Sequence, residues 1–285
     1  MDQVRVGFVR YLNTAPLVEG LKALQPVELS AAVPSRIVGM LASGEVDIGL
    51  ASVIDALRSP TPLAILPMGM IGCEGPTLTV RVFSKSPIEK ATRIYADTDS
   101  HTSVALCRVV MKRVYGVDVE IADFDARERI AAGDDAGEWP ESMLLIGDKV
   151  VADSPPAVRY PHQLDLGQAW LDWTGLPFVY AVWMCREAEA ADPSIAAAAA
   201  VLDRTRLHNK TRIDWIVRTH APRHRWPIDL ASRYLGELLR YDLGEREREG
   251  MLRFFDEARA LGLAPERTPP WVSFRDSIGS GSAQG

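Results

Sequence analysis

Residues 178–185 read FVYAVWMC and residues 77–84 read TLTVRVFS, two long β-prone runs set about a hundred residues apart in the chain. Between them lies a self-contained series of strand and helix signals. RIYADT (93–98) reads as a strand. SHTSVALCRVVMKRVYG follows as an amphipathic helix from about Thr102 to Tyr115, ended by Gly116. SMLLIGDKV (142–150) is a buried strand ending in Gly147-Asp148. A chain that makes one long run, builds a βαβ segment and then makes a second long run is leaving one lobe, building another and returning.

The flanks agree with this. Val4–Val9 reads as a strand and Ala15–Leu24 as a helix, with Thr14 as its N-cap and Pro16 in the first turn, where a missing N–H costs nothing. Pro34-Ser35 opens a second helix through Leu41, closed by Gly44. VDIGLAS from Val46 is a further strand, and a short helix follows from Ser52 to Leu57. The stretch with Pro60, Pro62, Pro67, Gly69, Gly72, Gly75 and Pro76 reads as a loop. Beyond 186 the patterns are helical and would pad the first lobe, while RDSIGSGSAQG at the end reads as disordered. The expected architecture is α/β with mostly parallel sheets: lobe 1 from 1–82 and 178–285, lobe 2 from 83–177.

Composition narrows the function classes. The chain has 285 residues, 47% of them hydrophobic, enough for two lobes with real cores. Its 38 acidic and 32 basic residues are interspersed, with no basic stripe to neutralise phosphates, so nucleic acid is not an expected partner. The opening MDQVRVGFVRYLN lacks the apolar core of a secretory signal, and no run approaches a membrane span; a cytoplasmic protein without a membrane partner is expected. Cys73, Cys107 and Cys185 are widely spaced in apolar sequence, which suits buried thiols rather than disulfides or a metal. Oligomeric state is not legible.

In open parallel sheets, ligands bind beyond the carboxyl ends of the strands. That rule selects Asn13 and Thr14 after the first strand, Ser52 after the VDIGLAS strand, Asp99 to Ser103 after the RIYADT strand, and Gly147-Asp148. Ser100, Thr102 and Ser103 crowd a helix N-terminus, with His101 among them; free N–H groups and the dipole there favour an anion, although helix capping alone satisfies the same residues. His220 and His224 flank Pro222 and read as solvated loop, and GEREREGMLRFFDEARA reads as a solvated helix face. No GxSxG, Walker A loop, GxGxxG or HExxH is present, so the residues suit a cleft for a small anionic molecule without deciding between binding and turnover.

The motifs YLNTAPLVEGL, PSRIVGMLASGEVDIGLAS, GCEGPTLTVRVFSKSPIE, SHTSVAL, LLIGD, DLGQAWLDWTGLPFVYAVW and YLGELLRYDLGEREREGMLRFF, in that order and over nearly the whole chain, resemble the chorismate dehydratases of the futalosine route to menaquinone. The resemblance implies a fold like type II periplasmic binding proteins, two α/β lobes joined by two hinge strands, with the helical C-terminal region on the first lobe. It implies loss of water from chorismate to give 3-[(1-carboxyvinyl)oxy]benzoate with no cofactor and no metal. The ring proton beside the enolpyruvyl ether and the neighbouring hydroxyl are lost, driven by aromatisation. In that family the asparagine of YLN and a serine after GP are tied to catalysis. Asn13 matches the first, and the second falls on Thr79, which keeps a hydroxyl and adds a methyl. Tyr11, Thr14, Ser52, Ser100, His101, Thr102, Ser103, Gly147 and Asp148 would hold the substrate, with histidine at 101 where relatives often carry arginine. The substrate's own enolpyruvyl carboxylate would take the proton. Rival readings are a solute-binding protein or cytoplasmic sensor of the same fold, and the sister enzyme that makes 1,4-dihydroxy-6-naphthoate, which carries a different N-terminal motif.

Overall fold

The computed structural model describes residues 3–24, 27–97, 99–132 and 138–273; the terminal segment read as disordered lies outside these. The strands in chain order are β1 (Val4–Val9), β2 (Val27–Ala32), β3 (Ile48–Ser52), β4 (Leu63–Cys73), β5 (Val80–Ser84), β6 (Arg93–Asp97), β7 (Glu120–Phe124), β8 (Ser142–Ile146), β9 (His162–Asp165), β10 (Phe178–Arg186) and β11 (Leu239–Arg240). The helices are α1 (Ala15–Val18), α2 (Pro34–Ser43), α3 (Asp55–Arg58), α4 (His101–Val114), α5 (Ala126–Ala132), α6 (Lys149–Ala152), α7 (Leu166–Thr174), α8 (Pro193–Lys210), α9 (Ile213–His220), α10 (Ile228–Arg233) and α11 (Glu245–Ala260).

Two sheets result, ordered β11-β4-β10-β3-β1-β2 and β7-β6-β8-β5-β9. In the first, β1 lies between β2 and β3 and runs parallel to both, which is why its apolar run is nearly continuous. The sheets are mixed rather than mostly parallel. The chain re-enters the first sheet at the end where β3 finishes, so β10 must run back against β3 and β4. In the second, β5 is antiparallel to β8 and β9. Neither long run is shared between sheets: β5 belongs wholly to the second and β10 to the first. The passage out of the first sheet therefore falls between Cys73 and Val80, upstream of residue 82.

The stretch read as a loop is the longest strand, β4. Its punctuating residues are absorbed by a bulge: the pairing with β10 steps from Leu66 to Met70, leaving exposed Pro67 and left-handed Gly69 out of the ladder. The first helix is also shorter than its pattern, because α1 ends at Val18 and Gly20 turns left-handed before a single 3₁₀ turn. By contrast α2 ends at Gly44 in the left-handed cap its sequence signals.

The two passages between sheets are clamped by close approach. On the first, Asp165 accepts the backbone N–H groups of Thr77 (2.9 Å) and Leu78 (2.7 Å) while capping α7 through Gly167 and Gln168. A side chain at Gly167 would run into Thr77, Cys73 Sγ at 2.6 Å and the Gly75 carbonyl at 2.7 Å, so only glycine fits. On the second, Trp170 Nε1 donates to the Pro177 carbonyl, and Trp170, Phe178 and Phe254 pack edge to face with centroids 5.0–6.1 Å apart. These rings join α7, β10 and α11. The C-terminal helices pack on the first lobe as expected, although α11 also meets α4, where Arg113 pairs with Glu257. All three cysteines are buried and free.

Candidate active site between the two sheets

Where the strands of both sheets end, a cavity enclosing about 590 Å³ of empty space, part of it open to solvent, separates the lobes. Its polar lining comes from both. Tyr11, Asn13 and Thr14 arrive on the turn after β1, Ser52 ends β3, Thr77 and Thr79 lie on the first passage, Ser100 and Ser103 start α4, and Gly147 follows β8. Tyr180 of β10 and Tyr234 of the C-terminal region complete the ring, with Val9, Leu50, Ile71, Ile146 and Leu239 as apolar wall. Among the described residues, no Lys, Arg, His, Asp or Glu lines it. Nor is there among them any group of three or more His, Cys, Asp or Glu able to hold a metal ion.

Two buried hydroxyl chains dominate. Thr79 Oγ1 lies 2.6 Å from the Tyr234 hydroxyl, and Asn13 lines the same cavity. Thr77 Oγ1 lies 2.6 Å from the Tyr180 hydroxyl and 3.1 Å from Cys73 Sγ. Burial pushes both phenols well above the ordinary tyrosine pKa and the Cys73 thiol up to about 12, so all three remain protonated donors. Asn13 Oδ1 is buried and has no hydrogen-bond partner among the described residues.

Not every expected residue reaches the cavity. His101 turns to the other side of α4 and holds Asp55 of the first lobe through Nδ1, 2.8 Å from Oδ1. Thr102 Oγ1 accepts the Ile54 N–H at 3.3 Å, a buried bond between lobes. Asp148 accepts the Leu12 N–H at 3.3 Å, the Trp226 Nε1–H at 3.0 Å and a contact from His224 Nδ1 at 2.7 Å. A carboxylate at a strand end here meets buried donors before it can meet a ligand, which satisfies its charge inside the protein. His224 and His220 are accordingly not bare loop: His220 pairs with Glu19 at 2.7 Å. Thr14 lines the cavity but makes no N-cap bond, because its hydroxyl donates back to the Val9 carbonyl and to that of Tyr11 at 2.8 Å. The charged face of α11 is solvated, while Met251, Phe254 and Phe255 are buried on its other side.

Gly147, Ser100 and Ser103 sit where the strand-end rule puts them, and Tyr11 lines the cavity beside them. The Tyr11 hydroxyl donates to Asp99 at 3.1 Å, and its ring lies so near left-handed Gly147 that a side chain there would stand 3.0 Å away. Ser100 caps α4 by accepting the Ser103 N–H, and both serines line the cavity. Thr77, Tyr180 and Tyr234 are the polar lining residues that sequence reasoning missed. Tyr180 is the extra residue of a bulge, since Val179 pairs with Gly72 and Ala181 with Ile71, and the bulge re-aims its side chain.

A family model for menaquinone biosynthesis matches residues 4–260. The chain belongs to the menaquinone-biosynthesis family. Two relatives carry the same name: chorismate dehydratase of Thermus thermophilus is 31% identical over 274 residues, covering 91% of this chain and 96% of that protein. Chorismate dehydratase of Campylobacter jejuni is 25% identical over 258 residues, covering 89% and 93%. In fold the chain is similar to the alkanesulfonate-binding protein SsuA of Xanthomonas axonopodis, with a TM-score of 0.65, 14% identity and coverage of 94% and 96%. This member of the menaquinone-biosynthesis family thus has the two-lobed fold of periplasmic binding proteins. Its model match takes in all the cavity-lining polar residues, the last being Tyr234. Among the described residues, no helix is long and apolar enough to cross a membrane.

Proposed function

We propose that the protein is a chorismate dehydratase, a carbon–oxygen lyase of the cytoplasm that converts chorismate to 3-[(1-carboxyvinyl)oxy]benzoate and water. The observation that carries this reading is the 31% identity to a chorismate dehydratase sustained over 91% of the chain. The cavity's chemistry is consistent with it. The elimination needs a held substrate, a polarised leaving hydroxyl and a proton acceptor, and it yields an aromatic ring. Hydroxyls and an amide meet the first two needs. With no acidic or imidazole side chain among the described lining residues, the enolpyruvyl carboxylate of the substrate takes the ring proton. The C–H electron pair becomes the new ring double bond, the neighbouring C–O bond breaks, and the proton and hydroxide leave as water.

In this reading Asn13 and Thr79 contact the departing hydroxyl, and the first turn of α4 with Ser100 and Ser103 receives a carboxylate. His101, Thr102 and Asp148 act instead as fasteners between the lobes. The division into lobes, with the exchange at 74–79 and 175–177, is part of the same proposal. The test is to titrate chorismate into the purified protein and follow both binding heat and ultraviolet absorbance. Growth of an aromatic product at catalytic protein concentrations supports the dehydratase. Saturable binding with no product would make it a receptor of the same fold.

A further inference from the structure

The Tyr234 hydroxyl bonds one candidate catalytic side chain, Thr79, and shares the cavity wall with the other, Asn13. Asn13 comes from the turn after β1, Thr79 from the passage between sheets, and Tyr234 from the C-terminal region, so the three converge from distant parts of the chain. Thr79 and Tyr234 are 2% and 1% exposed, and their oxygens lie 2.6 Å apart. The chain spends an unusual local structure on the site: Tyr234 opens a π-helical turn, Tyr234–Leu238, directly after α10. Such turns are rare and concentrate at functional sites. The ring is held flat against Trp226, with centroids 4.7 Å apart and planes 20° apart, and Trp226 is in turn fixed by Asp148 of the second lobe.

We propose that Tyr234 is a positioning residue for the dehydration, setting the direction of the hydrogen bonds so that Thr79 presents its proton to the leaving hydroxyl. This rests on the dehydratase reading. A phenol has one proton to give and an oxygen to accept with. Of two hydroxyls 2.6 Å apart, one gives its proton to the other; in the proposed arrangement the phenol is that donor and Thr79 Oγ1 the acceptor. Thr79 has then accepted its bond within the protein, and its own proton is left for an acceptor in the cavity. Asn13 Oδ1, buried and unpartnered among the described residues, is left to accept. Because burial keeps Tyr234 protonated, this polarity does not reverse in the working pH range. The second hydroxyl chain ends differently: Tyr180 bonds Thr77, which faces Cys73.

The experiment compares wild type, Tyr234→Phe, Thr79→Val and the double variant in kcat, KM and thermal melting with chorismate. Phenylalanine keeps the stack on Trp226 and removes only the hydroxyl. The expected result is a kcat lowered by about 10²-fold in Tyr234→Phe, with KM and melting temperature near wild type. In the Thr79→Val background the same change costs less than about threefold more, because Tyr234 acts through Thr79. A kcat within about threefold of wild type, or full additivity in the double variant, overturns the proposal. If Tyr234→Phe fails to fold, 3-fluorotyrosine at 234 keeps ring and hydroxyl and alters only hydrogen-bond strength. A shifted kcat at constant KM then supports the role, and an unchanged kcat overturns it. Failure of wild type to turn over chorismate overturns the dehydratase reading together with this inference. Turnover by wild type with an undiminished Tyr234→Phe overturns this inference alone.

Discussion

Asp148, just past the end of a second-sheet strand, accepts the backbone N–H of Leu12 at 3.3 Å, one residue before Asn13 in the first lobe. The same carboxylate holds Trp226 at 3.0 Å and His224 at 2.7 Å. It therefore fixes the turn that carries Asn13 and the ring that backs Tyr234 without touching the cavity. Asp148→Ala removes charge-assisted bonds worth about 2 to 3 kcal/mol in total and leaves buried donors unpaired. Chemical denaturation should register that loss, and kcat/KM for chorismate should fall by about 10 to 10²-fold. A variant with wild-type stability and kcat/KM would remove Asp148 from the account.

Thr79 tests whether a hydroxyl alone is needed where the resembling family carries serine. Thr79→Ser should keep kcat within about threefold of wild type, whereas the nearly isosteric Thr79→Val should lose about 10²-fold. Steady-state kinetics on both variants decide it. Loss in Thr79→Ser with wild-type kcat in Thr79→Val would make the methyl, not the oxygen, the important group.

His101 and Asp55 join the lobes on the far side of α4, with Nδ1 and Oδ1 2.8 Å apart. The bond to Asp55 raises the His101 pKa above its ordinary 6.5, burial opposing more weakly. A group whose pKa is raised by closure stabilises the closed form fully below its ordinary pKa and loses that contribution as pH rises through the raised value. KM for chorismate should therefore climb from about pH 6.5 upward, and His101→Gln should flatten the profile while leaving kcat largely intact. An identical pH profile in the variant would sever the link between this pair and closure.

Gly167 is predicted to be irreplaceable for steric reasons. Gly167→Ala pushes a methyl into Cys73 Sγ, Thr77 and the Gly75 carbonyl, all on the passage that leads to Thr79. The cost should be about 1 to 3 kcal/mol in urea denaturation, with a loss of activity larger than that of an exposed Gly39→Ala control, where a methyl meets open space. Matching stabilities would show that the passage yields.

The two-lobed architecture was legible because it follows from order along the chain: long β runs bracketing a βαβ segment survive in the sequence whatever their partners. Asn13, Ser52, Ser100, Ser103 and Gly147 were legible because strand ends dictate where the cleft lies. What failed depends on tertiary context. Pro67 and Gly69 mark a loop by local rules, yet a bulge opposite β10 accommodates them inside β4. His101 and Asp148 occupy the right segments, but their partners, Asp55 and the Leu12–Trp226–His224 set, lie 46 to 136 residues away and claim their polar atoms first. Tyr180 and Tyr234 face the cavity through a β-bulge and a π-helical turn, irregularities that hydrophobic periodicity does not encode.

In the proposed reaction Asn13, in a cavity walled by hydroxyls, takes part in removing water from chorismate. Proton nuclear magnetic resonance of chorismate incubated with wild type and with Asn13→Ala tests it most directly. Wild type should replace the ring olefinic and carbinol signals by the aromatic signals of a meta-substituted benzoate. Asn13→Ala, folded to the same melting temperature, should do so about 10² to 10³ times more slowly. Unchanged chorismate spectra with wild type, or equal rates for the two proteins, would contradict it.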